Sequence, residues 1–179
     1  MTNELAEEQI LAQRLVTELA AAGKQLVTVE SCTGGRIAAA ITRIPGASKV
    51  FGYGLVTYAN AAKTDLIGVS PELLDIERGA GAVSSEVAAA MAEGGLKLGA
   101  RDYALSVTGN AGPGGGSASK PVGLVYFGLA RSGAATLTQA RSFTGDREAI
   151  RSQATIYGLA LVLRAVVGDE GFEPPTPSV

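Results

Sequence analysis

The sequence predicts an α/β layered domain built on a mixed sheet. Runs of β-branched residues alternate with segments whose apolar residues recur at helical spacing, which is typical of strands and helices that alternate along a chain. Near the carboxyl end two strands are predicted in succession, with only residues 131–134 between them as a hairpin-like connection. A sheet that combines such a hairpin with strand–helix–strand units contains both parallel and antiparallel pairs.

The first strand opens a strand–turn–helix unit. Before it, a helix is predicted from Asn3 as its N-cap to Gly23 as its C′ residue, with apolar residues at helical spacing between them. The strand is expected over residues 25–29. The helix that follows Gly34 is expected to end near Arg43, just before a Pro-Gly pair.

The later elements follow from residue type and from turn residues. Ser70 followed by Pro71 is typical of a helix start, and Ser84 is predicted to cap a longer, alanine-rich helix. In order, we expect a strand over 50–58, a short helix from Asn60 that carries Lys63, helices over 71–77 and 84–98, strands over 102–108, 123–130 and 135–143, and a last helix over 147–167.

Composition favours one domain and a small-molecule partner. The 179 residues are 46% hydrophobic and 18% charged, and 15 basic against 17 acidic residues give a net charge of −2. One domain is expected over residues 1–168, followed by a proline-rich, disordered tail over 169–179 without a functional role. The chain has no basic run, which argues against a nucleic-acid partner and favours a small-molecule one.

Membrane, metal and disulfide sites are not expected. No apolar stretch approaches the ~20 residues of a membrane span, and the amino terminus lacks the regions of a signal peptide, so a cytoplasmic location is expected. The chain has one cysteine, Cys32, and no histidine, which excludes an internal disulfide and a Cys/His zinc set. We therefore expect neither a metal nor a cofactor.

The segment 30–35, Glu-Ser-Cys-Thr-Gly-Gly, is the strongest candidate for catalysis. Ser31 stands at a strand-to-helix junction, where its hydroxyl and the unpaired N–H groups of the turn face the same point. Because the chain has no histidine, a Ser-His-Asp triad is excluded, and lysine is the usual alternative base in serine hydrolases. Two other interpretations stay open: Ser31 as a helix N-cap, and Cys32 as the nucleophile.

Lys63 is the candidate base. If the first two strands are parallel and end at one edge of the sheet, Ser31, Tyr58 and Lys63 meet at their carboxyl ends. A lysine that acts as a base needs a pKa well below its reference value of ~10.4, which desolvation or a neighbouring cation provides. The alternative is a solvated lysine, with Tyr58 in a packing role.

A glycine-rich segment, residues 109–116, directly follows the predicted strand over 102–108. Backbone N–H groups in such a segment approach a phosphate or an oxyanion closely. The segment lacks the GxxxxGK[ST] pattern of a P-loop, and it is followed by a strand rather than the helix of a dinucleotide-binding motif. The alternative is a flexible surface loop.

Arg147 stands at the start of the last predicted helix, with Arg151 one turn later on the same face. There it is placed to add a planar pair of donors to a phosphate bound at the helix N-terminus. The alternative is that Asp146 caps this helix and Arg147 is a solvated neighbour.

Six segments together, in chain order, resemble one known family: residues 29–35, 57–63, 81–84, 108–116, 120–123 and 145–147. On these segments the chain resembles the CinA (competence-damage-inducible protein) C-terminal domain family, whose characterised members include nicotinamide mononucleotide deamidases. The match runs from about residue 5 to residue 163. It implies a three-layer α/β/α sandwich with a mixed, mostly parallel sheet, and a homodimer. At Asn110 the chain departs from the family pattern, where an aliphatic residue is expected.

The resemblance also implies a reaction, the hydrolysis of the carboxamide of nicotinamide mononucleotide to nicotinate mononucleotide and ammonia in pyridine nucleotide salvage. It assigns the nucleophile to Ser31 and the base to Lys63, with Tyr58 close by as a third catalytic residue that is expected to orient Lys63 or relay a proton. The residues expected to hold the oxyanion and the substrate are Cys32, Thr33, Gly34, Gly35, Thr108, Gly109, Asn110, Ala111, Gly112, Pro113, Gly114, Gly115 and Arg147. Two alternatives stay open: a non-catalytic nucleotide-binding module of the same fold, and an amidohydrolase for a different small amide.

Overall fold

Helices pack on both faces of a five-stranded sheet. The structure is a computed structural model that describes residues 2–99 and 102–168. Its elements, in chain order, are α1 (Thr2–Ala22), β1 (Leu26–Glu30), α2 (Arg36–Thr42), a 3₁₀ turn (Ala47–Lys49), β2 (Phe51–Val56), α3 (Asn60–Ile67), α4 (Pro71–Leu74), α5 (Ser85–Leu98), β3 (Tyr103–Gly109), β4 (Leu124–Arg131), β5 (Leu137–Ser142) and α6 (Arg147–Val167).

The sheet is mixed, as the sequence predicts, with the strand order β2-β1-β3-β4-β5. β1 pairs in parallel with both β2 and β3, whereas β4 is antiparallel to β3 and to β5. Four strands therefore run in one direction and β4 runs in the other. All five residues of β1 are buried, which is typical of a strand covered on both faces.

Two apolar layers enclose the sheet, so the predicted three-layer α/β/α arrangement is confirmed. On one face α1, α2 and α6 pack together over side chains such as Leu15, Ile37 and Phe127. On the other face α5 covers β1, β3 and β4, with Val29 and Met91 in its contact. The parallel strands β1, β2 and β3 end at one edge of the sheet, which is where α/β proteins place their sites.

Most predicted elements are present, and three local expectations need correction. α1 begins at Thr2, so Asn3 lies inside the helix rather than ahead of it as a cap. β2 ends at Val56, which leaves Tyr58 in the segment that leads to α3. The helix expected over 71–77 ends at Leu74, because the backbone at Asp75 is extended. The expected tail, residues 169–179, lies outside the described residues.

α6 also corrects the expectation about membrane-span length. By length and composition alone it is the one helix among residues 2–99 and 102–168 that is apolar enough to cross a membrane, and half of its most apolar 18 residues are buried inside the structure. Side chains of α6 such as Leu159, Val162 and Leu163 belong to the core against α1 and the sheet. The core helix of a globular domain passes the same test.

Candidate active site

Ser31 is the first residue after β1 and lies at the carboxyl edge of the sheet. Its backbone N–H donates to the carbonyl oxygen of Val107 on β3 at 2.9 Å, which extends the parallel ladder by one residue. The side chain is almost buried, at 9% exposure. The ladder therefore fixes the backbone from which the Ser31 hydroxyl projects.

Lys63 lies in the first turn of α3 and reaches back to Ser31. Its Nζ is 3.2 Å from Ser31 Oγ, 2.7 Å from the carbonyl oxygen of Thr57 and 3.3 Å from that of Tyr58. These distances are within hydrogen-bond range. The structure thus brings together the two residues that the sequence predicts as a pair.

The environment of Lys63 favours the neutral amine. The side chain is 1% exposed, and burial lowers its pKa from the usual value, an effect that the nearby Cys32 opposes more weakly. Within residues 2–99 and 102–168, Lys63 forms no ion pair with a carboxylate. Its three close neighbours are a hydroxyl and two backbone carbonyls, which do not offset the cost of burying a charge as a carboxylate does.

Cys32 is placed as a packing residue rather than a nucleophile. It is 6% exposed and belongs to the apolar core. Burial raises the pKa of its thiol to about 12, so the thiolate is rare at neutral pH. This counts against the alternative in which Cys32 attacks the substrate.

In the turn after Ser31, only some of the N–H groups expected to bind the oxyanion are available as donors. The N–H of Gly34 donates to the carbonyl oxygen of Ser31 at 3.0 Å, and the N–H of Gly35 donates to Glu30 Oε2 at 3.0 Å. Because both groups have internal acceptors, Gly34 and Gly35 do not serve as donors in this geometry. The N–H groups of Cys32 and Thr33 have no oxygen acceptor among the described residues, and both lie against the Cys32 thiol.

Tyr58 contacts Lys63 through its backbone and not through its hydroxyl. The side chain is 57% exposed, and its hydroxyl accepts a hydrogen bond from Arg147 Nη2 at 2.8 Å. The expectation that this hydroxyl orients Lys63 or relays its proton therefore needs correction. The carbonyl oxygens of Thr57 and Tyr58 orient the amine instead.

Arg147 joins Tyr58 to the glycine-rich segment. Its Nη1 donates to the carbonyl oxygen of Gly112 at 2.7 Å, while Nη2 bonds the Tyr58 hydroxyl. Asp146 caps α6 by accepting from the N–H of Ala149 at 2.9 Å, as one of the two sequence interpretations expects. A carboxylate at that helix end disfavours a phosphate there. The Arg147 guanidinium contacts the glycine-rich loop instead.

The glycine-rich segment combines buried anchors with an exposed tip. The hydroxyl of Thr108 is buried and donates to the carbonyl oxygen of Ala82 at 2.7 Å. Asn110 Oδ1 accepts from the N–H of Gly112 at 3.0 Å, and the buried Asn110 Nδ2 has no hydrogen-bond partner among the described residues. Asn110 therefore shapes the loop. Of the other residues expected here, Gly109 is half-buried, Ala111 is buried, and Pro113, Gly114 and Gly115 are exposed.

Sequence reasoning did not assign a role to Glu30 or Arg151. The Glu30 carboxylate bonds the turn that carries Ser31, and Arg151 Nη2 donates to the carbonyl oxygen of Thr33 at 2.9 Å. For Arg151, the sequence signal that could have indicated a role was its position one turn after Arg147 on the same helix face. A carboxylate six residues ahead of a helix has no such signal, because capping residues usually directly precede the helix.

The residues of this site do not form a metal centre. In the ranges that the structure describes, no group of three or more His, Cys, Asp or Glu side chains is arranged to hold a metal ion.

Comparison with known proteins gives one consistent result. Residues 8–166 match the family model described as CinA C-terminal domain. The chain is 47% identical over 149 residues to "Nicotinamide-nucleotide amidohydrolase PncC" of Escherichia coli (strain K12), a match that covers 83% of this chain and 88% of that one. It is 46% identical over 171 residues to a "Putative competence-damage inducible protein" of Symbiobacterium thermophilum, covering 91% of this chain but 39% of that longer protein.

Solved structures agree in fold. The competence/damage inducible protein CihA from Agrobacterium tumefaciens superposes with a TM-score of 0.83 at 41% identity, covering 89% of this chain and 95% of that one. The competence damage-inducible protein A (ComA) from Klebsiella pneumoniae gives a TM-score of 0.84 at 34% identity, covering 90% and 98% of the two chains.

Proposed function

The chain belongs to the CinA C-terminal domain family, and on that premise we propose that it hydrolyses the carboxamide of nicotinamide mononucleotide to nicotinate mononucleotide and ammonia. The observation that carries the chemistry is the 3.2 Å contact between a buried Lys63 Nζ and Ser31 Oγ. The substrate is supported by the printed name of the Escherichia coli relative, a nicotinamide-nucleotide amidohydrolase.

Lys63 acts as the general base in this proposal. A neutral amine has two N–H groups and one lone pair. The carbonyl oxygens of Thr57 and Tyr58 accept the two N–H groups, at 2.7 Å and 3.3 Å. The lone pair then faces the Ser31 hydroxyl and takes its proton as the oxygen attacks the amide carbon.

The remaining steps return the enzyme to its starting state. Attack forms a tetrahedral intermediate whose oxyanion is stabilised by the N–H groups of Cys32 and Thr33. The Lys63 ammonium gives its proton to the amide nitrogen, ammonia leaves, and the acyl group stays on Ser31 as an ester. Lys63 then takes a proton from a water whose oxygen attacks the ester carbon, and it returns this proton to Ser31 Oγ as the ester bond breaks and the carboxylate product leaves.

The ribose phosphate is held away from the reacting amide. Arg147 uses one N–H of each terminal nitrogen for Gly112 and Tyr58, which leaves further guanidinium donors for a phosphate. Glycines 114 and 115 are exposed and follow Gly112 in the same segment, and in this proposal their backbone N–H groups add donors for the phosphate. Binding of this remote group positions the carboxamide at Ser31.

Ammonia release from nicotinamide mononucleotide by the purified protein tests the proposal. Ser31→Ala is expected to lower kcat at least about 1,000-fold, and Lys63→Met is expected to lose turnover while it keeps its fold. Turnover by Lys63→Met with an unchanged pH–rate profile would count against Lys63 as the base. Ser31→Ala at near wild-type rate would overturn the mechanism. Calorimetric binding of the mononucleotide without ammonia release would indicate a binding module, and turnover of another amide in a substrate panel would indicate a different amidohydrolase.

The cellular setting is part of the same proposal. We place the enzyme in the cytoplasm, in pyridine nucleotide salvage, as a homodimer of a single domain over residues 1–168. The resemblance supports the dimer, and sedimentation equilibrium of the purified chain measures it. A monomeric mass at micromolar concentration would contradict that part.

A further inference from the structure

The carboxylate of Glu30 is fully buried, at 0% exposure, one residue ahead of the proposed nucleophile. It accepts four hydrogen bonds. Its Oε2 accepts from Thr33 Oγ1 at 2.7 Å, from the N–H of Gly35 at 3.0 Å and from that of Ile37 at 3.1 Å. Its Oε1 accepts from the N–H of Ala38 at 2.8 Å. A carboxylate with several backbone N–H donors is one of the strongest hydrogen-bonded arrangements in a protein interior.

These donors belong to the turn that carries Ser31 and to the first turn of α2. The residue at the N-cap of α2 is Gly35, which has no side chain to bond the free N–H groups. Side chains alternate along β1, so Glu30 projects on the same sheet face as Leu26, which packs in the layer of α1, α2 and α6. The helix therefore receives its cap from the end of β1, and the negative charge matches the helix dipole.

The backbone of Glu30 contacts the second half of the site. Its carbonyl oxygen accepts from the N–H of Thr57 at 2.8 Å, and the carbonyl oxygen of Thr57 in turn accepts from Lys63 Nζ at 2.7 Å. One residue thus connects the Ser31 turn through its side chain and the Lys63 acceptors through its main chain.

From this geometry we infer that Glu30 is a positioning residue for the reaction: it holds the turn that aligns the Ser31 hydroxyl with the N–H groups of Cys32 and Thr33. This inference rests on the proposed function. Glu30 touches neither Lys63 nor the Ser31 hydroxyl, so it takes no proton in the reaction. Its carboxylate also occupies the N-terminus of α2, which keeps that end from competing for the phosphate of the substrate.

Glu30→Gln tests the inference with little change in volume. The amide has one acceptor oxygen instead of two, so an NH₂ group replaces one carboxylate oxygen and faces backbone N–H donors. We expect kcat to fall about 100-fold, as for a reacting group displaced by about 1 Å. KM is expected to stay within about twofold, and the pH profile of kcat to keep its shape because Lys63 remains the base.

Hydrogen exchange gives a measurement that does not depend on the substrate. In Glu30→Gln the amides of residues 31–38 are expected to exchange faster, while those of β3 and α6 keep their protection. The matched control is Glu8→Gln, which removes another buried carboxylate, bonded to Arg36 and Ser152 and outside the Ser31 turn. The control is expected to keep its kcat.

Unchanged kcat in Glu30→Gln, or unchanged exchange over 31–38, overturns the inference. A loss of protection throughout the sheet overturns it as well, because Glu30 is then a general stability residue. Should Glu30→Gln fail to fold, Glu30→Asp keeps the charge with a reach shorter by one methylene and is expected to show the same pattern with a smaller loss of kcat. If the wild-type protein releases no ammonia, the proposed function fails, and the exchange measurement still decides whether Glu30 holds the turn.

Discussion

Lys63 is one of the largest fully buried side chains of the chain, in surroundings that most lysines avoid. A buried ammonium is normally paired with a carboxylate, yet the contacts of Lys63 among the described residues are oxygens without a full charge. Since burial lowers its pKa, the folded protein holds a free base at a pH where the unfolded chain holds a cation. The proposed mechanism uses this difference.

The same difference makes stability depend on pH. Because the folded pKa of Lys63 is lowered, the unfolded chain binds more protons between that pKa and the unfolded value of about 10.4. The free energy of unfolding of the wild type, minus that of Lys63→Met, is therefore expected to rise with pH in this window, by at most about 1.4 kcal/mol per pH unit. Urea titrations of both proteins from pH 7 to pH 10 measure it. A difference that is flat or falls with pH would contradict a lowered pKa.

In the proposed function Arg147 binds the phosphate of the substrate, so we expect its replacement to affect only substrates that carry this phosphate. In Arg147→Lys a single ammonium replaces the planar group that now reaches both Gly112 and Tyr58. We expect KM for nicotinamide mononucleotide to rise about tenfold, equivalent to about 1.4 kcal/mol. The KM for nicotinamide riboside, which lacks the phosphate, is expected to change by less than about threefold. Arg43→Lys, at an exposed position, is the control. Equal KM changes for the two substrates would contradict the assignment of Arg147 to the phosphate.

At the scale of elements, α5 packs closely against the sheet and against α3 because it carries two adjacent glycines. A Cβ at Gly94 would lie 2.1 Å from the carbonyl oxygen of Ile67, at the end of α3, and one at Gly95 would lie 2.5 Å from Val29 Cγ2 on β1. Such distances are well inside van der Waals contact. Because these two Cβ atoms are absent, α5 can pack close to the helix that bears Lys63 and to the strand that precedes Ser31.

Gly94→Ala is therefore expected to destabilise the protein, although alanine favours helices by up to about 1 kcal/mol over glycine. The clash at Ile67 costs about 1–3 kcal/mol, by analogy with overpacked cores. Chemical denaturation monitored by circular dichroism measures the change. Lys97→Ala, on the exposed side of α5, is expected to stay within about 0.5 kcal/mol of wild type. A stabilised Gly94→Ala would show that α3 is free to move away.

At the scale of the whole molecule, the strand order assembles the site. β1, β2 and β3 are adjacent and parallel, so the residues after their last positions share one edge of the sheet. There hydrogen bonds join Ser31 to Lys63 and Lys63 to the carbonyl oxygen of Tyr58, and the hydroxyl of the same tyrosine is joined through Arg147 to Gly112. Four segments that lie far apart in the chain meet in this series.

Removal of residues 169–179 tests the proposed domain boundary. A chain that ends at Gly168 keeps all of α6, which packs against α1 and the sheet. It is expected to unfold in one cooperative transition, with a midpoint within about 2 °C of the full chain, and to keep kcat within about twofold. Thermal unfolding and the ammonia assay measure this. A large drop in either would place the tail within the functional domain.

Local residue patterns determined most of the secondary structure of this protein. The bounds of α6 agree with the prediction, and Ser84 caps α5 through the N–H of Val87, because capping and helical spacing depend on residues within a few positions of each other. Because the chain has no histidine, lysine was the expected base for Ser31. Residue types alone therefore predicted the order of helices and strands and the pairing of Ser31 with Lys63.

Only the tertiary structure decided how that pair is surrounded. The cap of α2 by Glu30, the use of the Gly34 and Gly35 N–H groups, and the partner of the Tyr58 hydroxyl all depend on which groups the fold brings into contact. So does the burial that lowers the pKa of Lys63. The physical reason is that secondary structure follows from near neighbours in the chain, whereas hydrogen-bond partners and desolvation follow from strand order and the packing of helices on the sheet.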